Sequence, residues 1–365
     1  PRMHSTEGPK IEIGDLNSDG HTDFVLLGAT GDVDKIFLQT ADGQFAQKEN
    51  PVFAEDIAFE STCAALFDND KDGDLDLVIG SGGNDFGKGM DGFLLRFYEN
   101  DGQGNFAKNA SQTPPAGGQF SVIRPNDFDK DGDIDLFIGA RSIPGNYGLT
   151  PRSFLLKKSG NSWRDITKKE LGTVGMITDA VWTDYDGDQD DDLMIVGEYM
   201  PVTFFANEGN GLKKAMTIPN SEGWWLDITA NDLDNDGDTD FVLGNWGLNT
   251  KFKATTESPL ELFVKDFDDN GKTEFVLNWK APADDKAYPF HTKMDLTAQL
   301  PALKKKFLKY DQYAKADYET LFTTAERKGA TKRKAVTLET AILRNNGNGQ
   351  YDLETLPFAA QVAPM

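Results

Sequence analysis

The chain has 365 residues, with 37 Lys and Arg against 60 Asp and Glu and a formal net charge of −23 at pH 7. That balance repels nucleic acid, the single cysteine, Cys63, excludes a disulfide framework, and no apolar run is long enough for a membrane-spanning helix or a signal peptide. The length exceeds that of an ordinary single domain, but repeat architectures run long as one unit.

In chain order, the acids gather into six nine-residue segments with an oxygen-bearing side chain at positions 1, 3, 5 and 9. Residues 15–23 (DLNSDGHTD) supply Asp15, Asn17, Asp19 and Asp23, with His21 at position 7. Residues 68–76 (DNDKDGDLD) supply Asp68, Asp70, Asp72, Asp74 and Asp76, and 127–135 (DFDKDGDID) supply Asp127, Asp129, Asp131, Asp133 and Asp135. Residues 184–192 (DYDGDQDDD) supply Asp184, Asp186, Asp188, Asp190 and Asp192, and 232–240 (DLDNDGDTD) supply Asp232, Asp234, Asp236, Asp238 and Asp240. The last, 266–274 (DFDDNGKTE), has Asp266, Asp268, Asn270, Lys272 and Glu274. Positions 1, 3, 5 and 9 together hold 22 carboxylates, nearly all of the formal excess, so the acidity reads as ligand stock. Calcium takes about six to eight hard oxygen ligands in forgiving geometry, which such a loop can wrap around one centre. The sequence therefore predicts up to six calcium ions, with position 7 of each loop ligating through its backbone carbonyl, because the ammonium of Lys272 cannot ligate.

Position 6 is Gly20, Gly73, Gly132, Gly237 and Gly271, as a sharp turn of positive φ requires. Loop four breaks the rule with Gln189 there and Gly187 two residues earlier, which predicts a strained or differently wound loop that binds metal less securely. An EF-hand needs a bidentate Glu at position 12, yet that position is Leu26, Ile79, Ile138, Ile195, Leu243 and Leu277. Each loop instead enters a short apolar run such as Leu77-Val78-Ile79, which reads as a strand buried on both faces. Further along, Ile36-Phe37-Leu38 before Asp42-Gly43, Phe97-Tyr98 before Asp101-Gly102, Phe204-Phe205 before Gly209, and Ile342-Leu343 before Asn346-Gly347-Asn348 read as hairpins, with Phe154-Leu155-Leu156 before Ser159-Gly160 a looser copy. The unit is strand, loop, strand, hairpin. Loop starts lie 53, 59, 57, 48 and 34 residues apart, a period that with four strands per unit predicts an all-β propeller. The short last interval predicts that loops five and six share one blade, with residues 260–264 and 275–279 as its outer strands.

The D-x-D-x-D-G-x-x-D loops followed by an apolar strand and Gly resemble the FG-GAP or VCBS repeats of integrin-type propellers. Gly139-Ala140-Arg141, Pro151-Arg152-Ser153-Phe154, Gly197-Glu198-Tyr199-Met200-Pro201, Gly223-Trp224-Trp225 and Gly247-Leu248-Asn249 make nearly the whole chain similar to bacterial extracytoplasmic proteins related to cartilage acidic protein. The resemblance implies a seven-bladed calcium propeller, about six blades of it represented here, that displays or binds something outside the cytoplasm as a cell-surface lipoprotein or secreted component. It also implies a fragment of a larger protein whose closing strands lie beyond residue 365.

Residues 1–292 are expected to hold the blades and six loops, 293–334 a basic helical insertion, and 335–365 the strands of a last, incomplete blade. In the insertion, Leu296, Leu300, Leu303, Phe307, Leu308, Tyr318, Leu321 and Phe322 have helical spacing, Asp295 and Asp317 are candidate N-caps, and Lys304, Lys305, Lys306, Lys309, Arg327, Lys328, Lys332, Arg333 and Lys334 make it basic. It reads either as a solvated helical cover or as a docking surface for an acidic partner or a sugar acid. Cys63 reads as a buried thiol. The histidines, His4, His21 and His291, show no Ser or Cys partner from which a triad can be assembled, and Tyr288, His291 and Lys293 stand as candidates for a polysaccharide lyase. The expected function is a non-enzymatic protein-binding scaffold, such as a subunit of a bacterial outer-membrane surface complex; the alternative is a glycan-binding module using Trp224, Trp225 and Trp246.

Overall fold

The computed structural model describes residues 10–83, 94–112, 118–280, 286–347 and 349–364, so His4 and Asn348 lie outside the described residues. The apolar runs form strands that pair into antiparallel sheets, four of them four-stranded and one eight-stranded. β1 (Ile11–Gly14), β2 (Asp23–Leu26), β3 (Lys35–Gln39) and β4 (Phe45–Lys48) pair in that order. A 3-10 turn at Pro51–Asp56 leads to β5 (Glu60–Phe67), β6 (Asp76–Gly82), β7 (Leu95–Asn100) and β8 (Phe106–Lys108), again in sequence order. β9 (Gln119–Asn126), β10 (Asp135–Ser142), β11 (Phe154–Ser159) and β12 (Ser162–Asp165) make the third sheet. A helical turn, α1 (Lys169–Gly172), precedes β13 (Met176–Thr183), β14 (Asp192–Met200), β15 (Thr203–Asn207) and β16 (Leu212–Thr217), in which β13, β14, β15 and β16 again neighbour one another in turn. These are propeller-type blades.

The fifth sheet corrects the expected strand assignment. β17 (Gly223–Asn231), which pairs with β14 and so joins the fourth and fifth groups of strands into one eight-stranded sheet, and β18 (Asp240–Asn245) form its first pair, but the chain then leaves for β19 (Leu260–Lys265), β20 (Glu274–Lys280) and β21 (Ala287–Pro289). Five short helices follow: α2 (Lys293–Gln299), α3 (Leu303–Lys306), α4 (Tyr310–Tyr313), α5 (Tyr318–Leu321) and α6 (Thr324–Arg327). β22 (Thr331–Ala335) returns to pair with β19, giving a separate sheet of order β21-β20-β19-β22. Only then do β23 (Ala341–Asn345) and β24 (Tyr351–Thr355) complete the sheet begun by β17 and β18. Loops five and six therefore belong to different sheets. Residues 341–355 finish the fifth blade instead of starting a last one, and β22 falls partly inside the stretch expected to be helical.

Two compact units emerge, Pro1–Pro144 with Pro151–Leu193 and Phe205–Ala215, and Gly145–Thr150 with Met194–Phe204 and Met216–Met365. In the first, Val78, Ile123, Leu136, Ile138 and Leu156 share one core with Cys63, and Leu16, Val25, Ile36, Leu77, Ile79 and Tyr98 another. Each such side chain, fully removed from water, stabilises the fold by roughly 1.5–3 kcal/mol. In the second unit, the helices cover the inserted sheet by packing Leu296, Leu300, Leu303, Phe307, Tyr318, Leu321 and Phe322 on Phe267 and Val276. Asp317 is an N-cap, accepting from Thr320 N, but Asp295 is not; Thr292 caps α2 and Asp295 closes the capping box from the third helical position. Leu308 departs from its predicted apolar face and is 77% exposed.

Candidate metal loops and their supports

All six acidic loops join the first two strands of a sheet. In five, position 9 pairs across the ladder with the residue just before position 1: Gly14 with Asp23, Phe67 with Asp76, Asn126 with Asp135, Asn231 with Asp240 and Lys265 with Glu274. That pair closes the base of each loop and draws its first and last acids together. Position 9 is the most buried acid, from 0% exposed at Asp23 and Asp135 to 4% at Glu274.

The winding is shared. Position 6 has positive φ in every loop, and so does position 4: Ser18 (59°), Lys71 (68°), Lys130 (57°), Gly187 (80°), Asn235 (62°) and Asp269 (56°). Loop four is thus not differently wound. Its glycine sits at position 4, and the strain falls on Gln189, which holds φ 72° where the other loops have glycine. In each loop one oxygen of position 1 accepts the N–H of position 6, from Gly20 to Asp15 at 2.8 Å through Gln189 to Asp184 at 3.0 Å and Gly271 to Asp266 at 2.7 Å.

Position 9 holds the loop to the sheet. Asp76 accepts Asn69 N at 2.9 Å on one oxygen and Asn100 N, from β7, at 2.8 Å on the other. Asp23 does the same with Leu16 N and Gln39 N, Asp192 with Tyr185 N and Asn207 N, and Asp240 with Leu233 N and Asn345 N. Glu274 accepts Phe267 N at 3.0 Å. Burial raises four of the position-9 acids despite the amide bonds, pushing Asp76 up to about 6, Asp135 and Asp192 up to about 7 and Glu274 above its ordinary value, with neighbouring carboxylates adding to the effect.

Acid trios with ligand atoms within 4.8 Å of one another occur at Asp68, Asp70 and Asp76; Asp127, Asp129 and Asp131; Asp184, Asp186 and Asp192; Asp232, Asp234 and Asp240; and Asp266, Asp268 and Glu274. Positions 1, 3 and 9 therefore converge in four loops, whereas loop three gathers positions 1, 3 and 5. Loop one, with Asn17 at position 3, has no such trio among the described residues. Buried oxygens of Asp127, Asp129, Asp135 and Asp190 have no hydrogen-bond partner among the described residues. Crowded carboxylates with unsatisfied oxygens and no soft donor fit a hard cation, so these groups could hold metal ions.

The other predicted ligands lie at the rim. Asp19, Asp72, Asp188, Asp236 and Asn270 at position 5 each accept the amide of position 7, from His21, Asp74, Asp190, Asp238 and Lys272 respectively. Position-7 side chains turn to the hairpin of their own sheet: Asp133 accepts Gly160 N at 3.2 Å, and Asp74 packs so closely on Gly102 that a Cβ there would lie 2.5 Å from its carboxylate. Position 4 links neighbouring loops, with Lys71 2.7 Å from Asp133 and Lys130 donating to Gln189 O at 2.6 Å.

Sequence reasoning missed the third-strand residues. Asn100 Nδ2 donates to Leu16 O in loop one and Leu75 O in loop two, and Asn207 Nδ2 donates to Phe128 O in loop three and Asp191 O in loop four. Lys158 takes this place in the third sheet, reaching Asn69 Oδ1 at 2.9 Å. The available signal is the Asn before each turn, in Asn100-Asp101-Gly102, Asn207-Glu208-Gly209 and Asn345-Asn346-Gly347.

The candidate ligand tryptophans are packed. Trp225 is 0% exposed with Nε1 donating to Ser221 O, which removes it from any ligand surface. Trp224 stacks on Trp246 at 4.6 Å and lies 5.0 Å from Tyr199, itself held at φ 54°. Two hollows of about 200 and 350 Å³ instead adjoin Trp163, lined by Ser111, Gln112, Asn161 and Ser162 and by Lys157, Ser159, Ser162 and Arg164. His291 lies edge-on to Phe275 at 5.2 Å, and burial pushes its imidazole down to about 4. Lys293 donates to Leu308 O and lies over Tyr310.

The FG-GAP-like repeat matches residues 15–79, 68–138 and 184–243. Each match opens on the first aspartate of a loop and ends at position 12 of a loop, and together they cover half of the chain. The chain belongs to the FG-GAP-like repeat family. Loop six lies outside these repeats. No curated protein matches the chain. A lectin of Agrocybe aegerita, solved for its recognition of non-reducing terminal N-acetylglucosamine, aligns over 98% of this chain and 83% of its own at 15% identity and TM-score 0.43. The V. cholerae biofilm matrix protein Bap1 aligns over 95% of this chain at 11% identity and TM-score 0.36, and the chain spans 65% of that protein's length. Neither likeness bears on what this FG-GAP-like chain binds. None of its described helices is long and apolar enough to cross a membrane.

Proposed function

We propose that this FG-GAP-like chain is a calcium-stabilised scaffold that works outside the cytoplasm and binds a protein partner at the cell surface without catalysing a reaction. The observation that carries the reading is the convergence of three acids within 4.8 Å in five loops, each rooted in a sheet through a buried position-9 carboxylate or its neighbours. Calcium is the ion suited to several carboxylate and carbonyl oxygens in flexible geometry, with the backbone carbonyls at position 7 completing each shell. Cytosolic free calcium is too low to fill weak sites, so loops of this kind favour an extracytoplasmic setting. The resemblance to bacterial extracytoplasmic proteins related to cartilage acidic protein supports the same setting. Co-purification from native membranes is the test: a specific partner retained with calcium and released by chelator is expected, and a chain recovered alone under both conditions contradicts the scaffold.

A glycan-binding reading is favoured by one observation, the pair of hollows beside the half-buried Trp163. Screening acidic and neutral glycans against the native chain and Trp163→Ala separates it from the first reading. Binding lost in the variant supports a glycan site; no binding by the native chain eliminates it.

A further inference from the structure

The six loops look equivalent in sequence, but their metal positions are not equally open. In loop three, Lys157 on β11 bonds Asp129 and lies 3.0 Å from Asp131. In loop five, Arg344 on β23 lies 2.6 Å from Asp240 and 3.2 Å from Asp234. These cations hold the same structural place. Lys158 N and Asn345 N, one residue later in each case, donate to the position-9 acid of the loop. Asn100 N, Asn207 N and Gln39 N make the same bond in the other meander sheets, and the residues before them are Glu99, Ala206 and Leu38. No cation is paired with Asp70, Asp186 or Asp268, the position-3 acids of loops two, four and six, among the described residues.

We propose that Lys157 and Arg344 are tethered cations that neutralise loops three and five from within and weaken calcium binding there. The inference rests on the calcium reading of the loops. A metal ion entering either loop needs carboxylate oxygens that the side-chain cation already holds, and if it enters beside that cation it meets a like charge at close range in a partly desolvated site. Loop three bears the mark of this competition: its trio gathers positions 1, 3 and 5, around the acids Lys157 holds, and leaves a buried oxygen of Asp135 without a partner. The consequence is a division of labour. Loops two and four, where Lys158 and Lys130 bond Asn69 and the Gln189 carbonyl and not a ligand carboxylate, and loop six depend more on calcium for charge balance, while three and five keep their shape at low calcium. Lys157 and Arg344 thus determine metal occupancy.

The test is calcium titration of the chelator-stripped full chain by calorimetry, with native mass spectrometry counting bound ions at limiting calcium. Lys157→Gln and Arg344→Gln are each expected to gain one tight site, binding at least about tenfold more tightly than in the native chain, a change of about 1.4 kcal/mol. Lys157→Arg, which keeps the charge, is expected to match the native count. The reverse variant, Ala206→Lys, places a cation at the corresponding position of the fourth blade and is expected to lose one tight site. Unchanged tight-site counts in both glutamine variants and in Ala206→Lys overturn the proposal while leaving the calcium reading intact. Absence of calcium binding in every variant overturns the calcium reading itself.

Discussion

The first four blades and the fifth use the same loop but are assembled differently. In the tandem blades the four strands follow one another in sequence, so each loop is buttressed by the hairpin that comes next, as Asp76 is by Asn100. The fifth blade is opened between β18 and β23 by residues 246–340, and its loop waits for Asn345 to be buttressed. The inserted sheet goes further: among the described residues its position-9 acid, Glu274, accepts an amide from its own loop, Phe267, and none from a third strand, and its support comes from helices packed on Phe267 and Val276. A loop motif therefore fixes a turn and its ligands, whereas what stands behind the turn is decided by strands far away in sequence.

Removing the position-9 acid sharpens this difference most. Asp76→Ala leaves two buried amides without an acceptor and is expected to cost about 3–5 kcal/mol, against about 1–3 kcal/mol for Glu274→Ala, which strands one. Urea unfolding of both variants in excess calcium measures the gap; equal losses would mean that the two loops are supported alike.

Acid should expose the inserted region next. Burial lowers His291 from 6.5 to about 4, so its contribution is fully present above pH 6.5 and is lost as the pH falls toward 4. The loss is about 2–3 kcal/mol, seen as earlier amide exchange in β20 and β21, and His291→Phe should flatten it. A pH response that survives His291→Phe would place the titrating group elsewhere.

The smallest expected effect lies in loop four. Gln189→Gly relieves a side chain held at φ 72° and should stabilise the protein by about 0.5–1 kcal/mol, whereas Gly20→Ala, at φ 82°, should destabilise it by about 1 kcal/mol. No gain from Gln189→Gly would show that loop four bears no excess strain.

Much of this was legible in the sequence because it is local. Alternate oxygens, a glycine at position 6 and an apolar position 12 define the loop, and Asp-Gly or Asn-Gly turns define the hairpins. Positive φ at position 4 was hidden, since Ser18, Lys71 and Lys130 are not residues that announce it. The return of β22 to β19 and of β23 to β18 was hidden for a different reason. The alternation of Leu260, Leu262 and Val264 says which face is buried, but nothing in a single strand says which edge will be paired. Likewise, Lys157 and Arg344 meet their acids only through a register that the whole sheet sets.

Thermal unfolding of the full chain in excess calcium and in excess EGTA tests most directly whether calcium in these loops holds the blades in shape. Several sites, each contributing roughly 2.7 kcal/mol at a hundredfold excess over Kd, should make the midpoint in EGTA lower by more than about 10 °C. Superimposable curves would contradict the account.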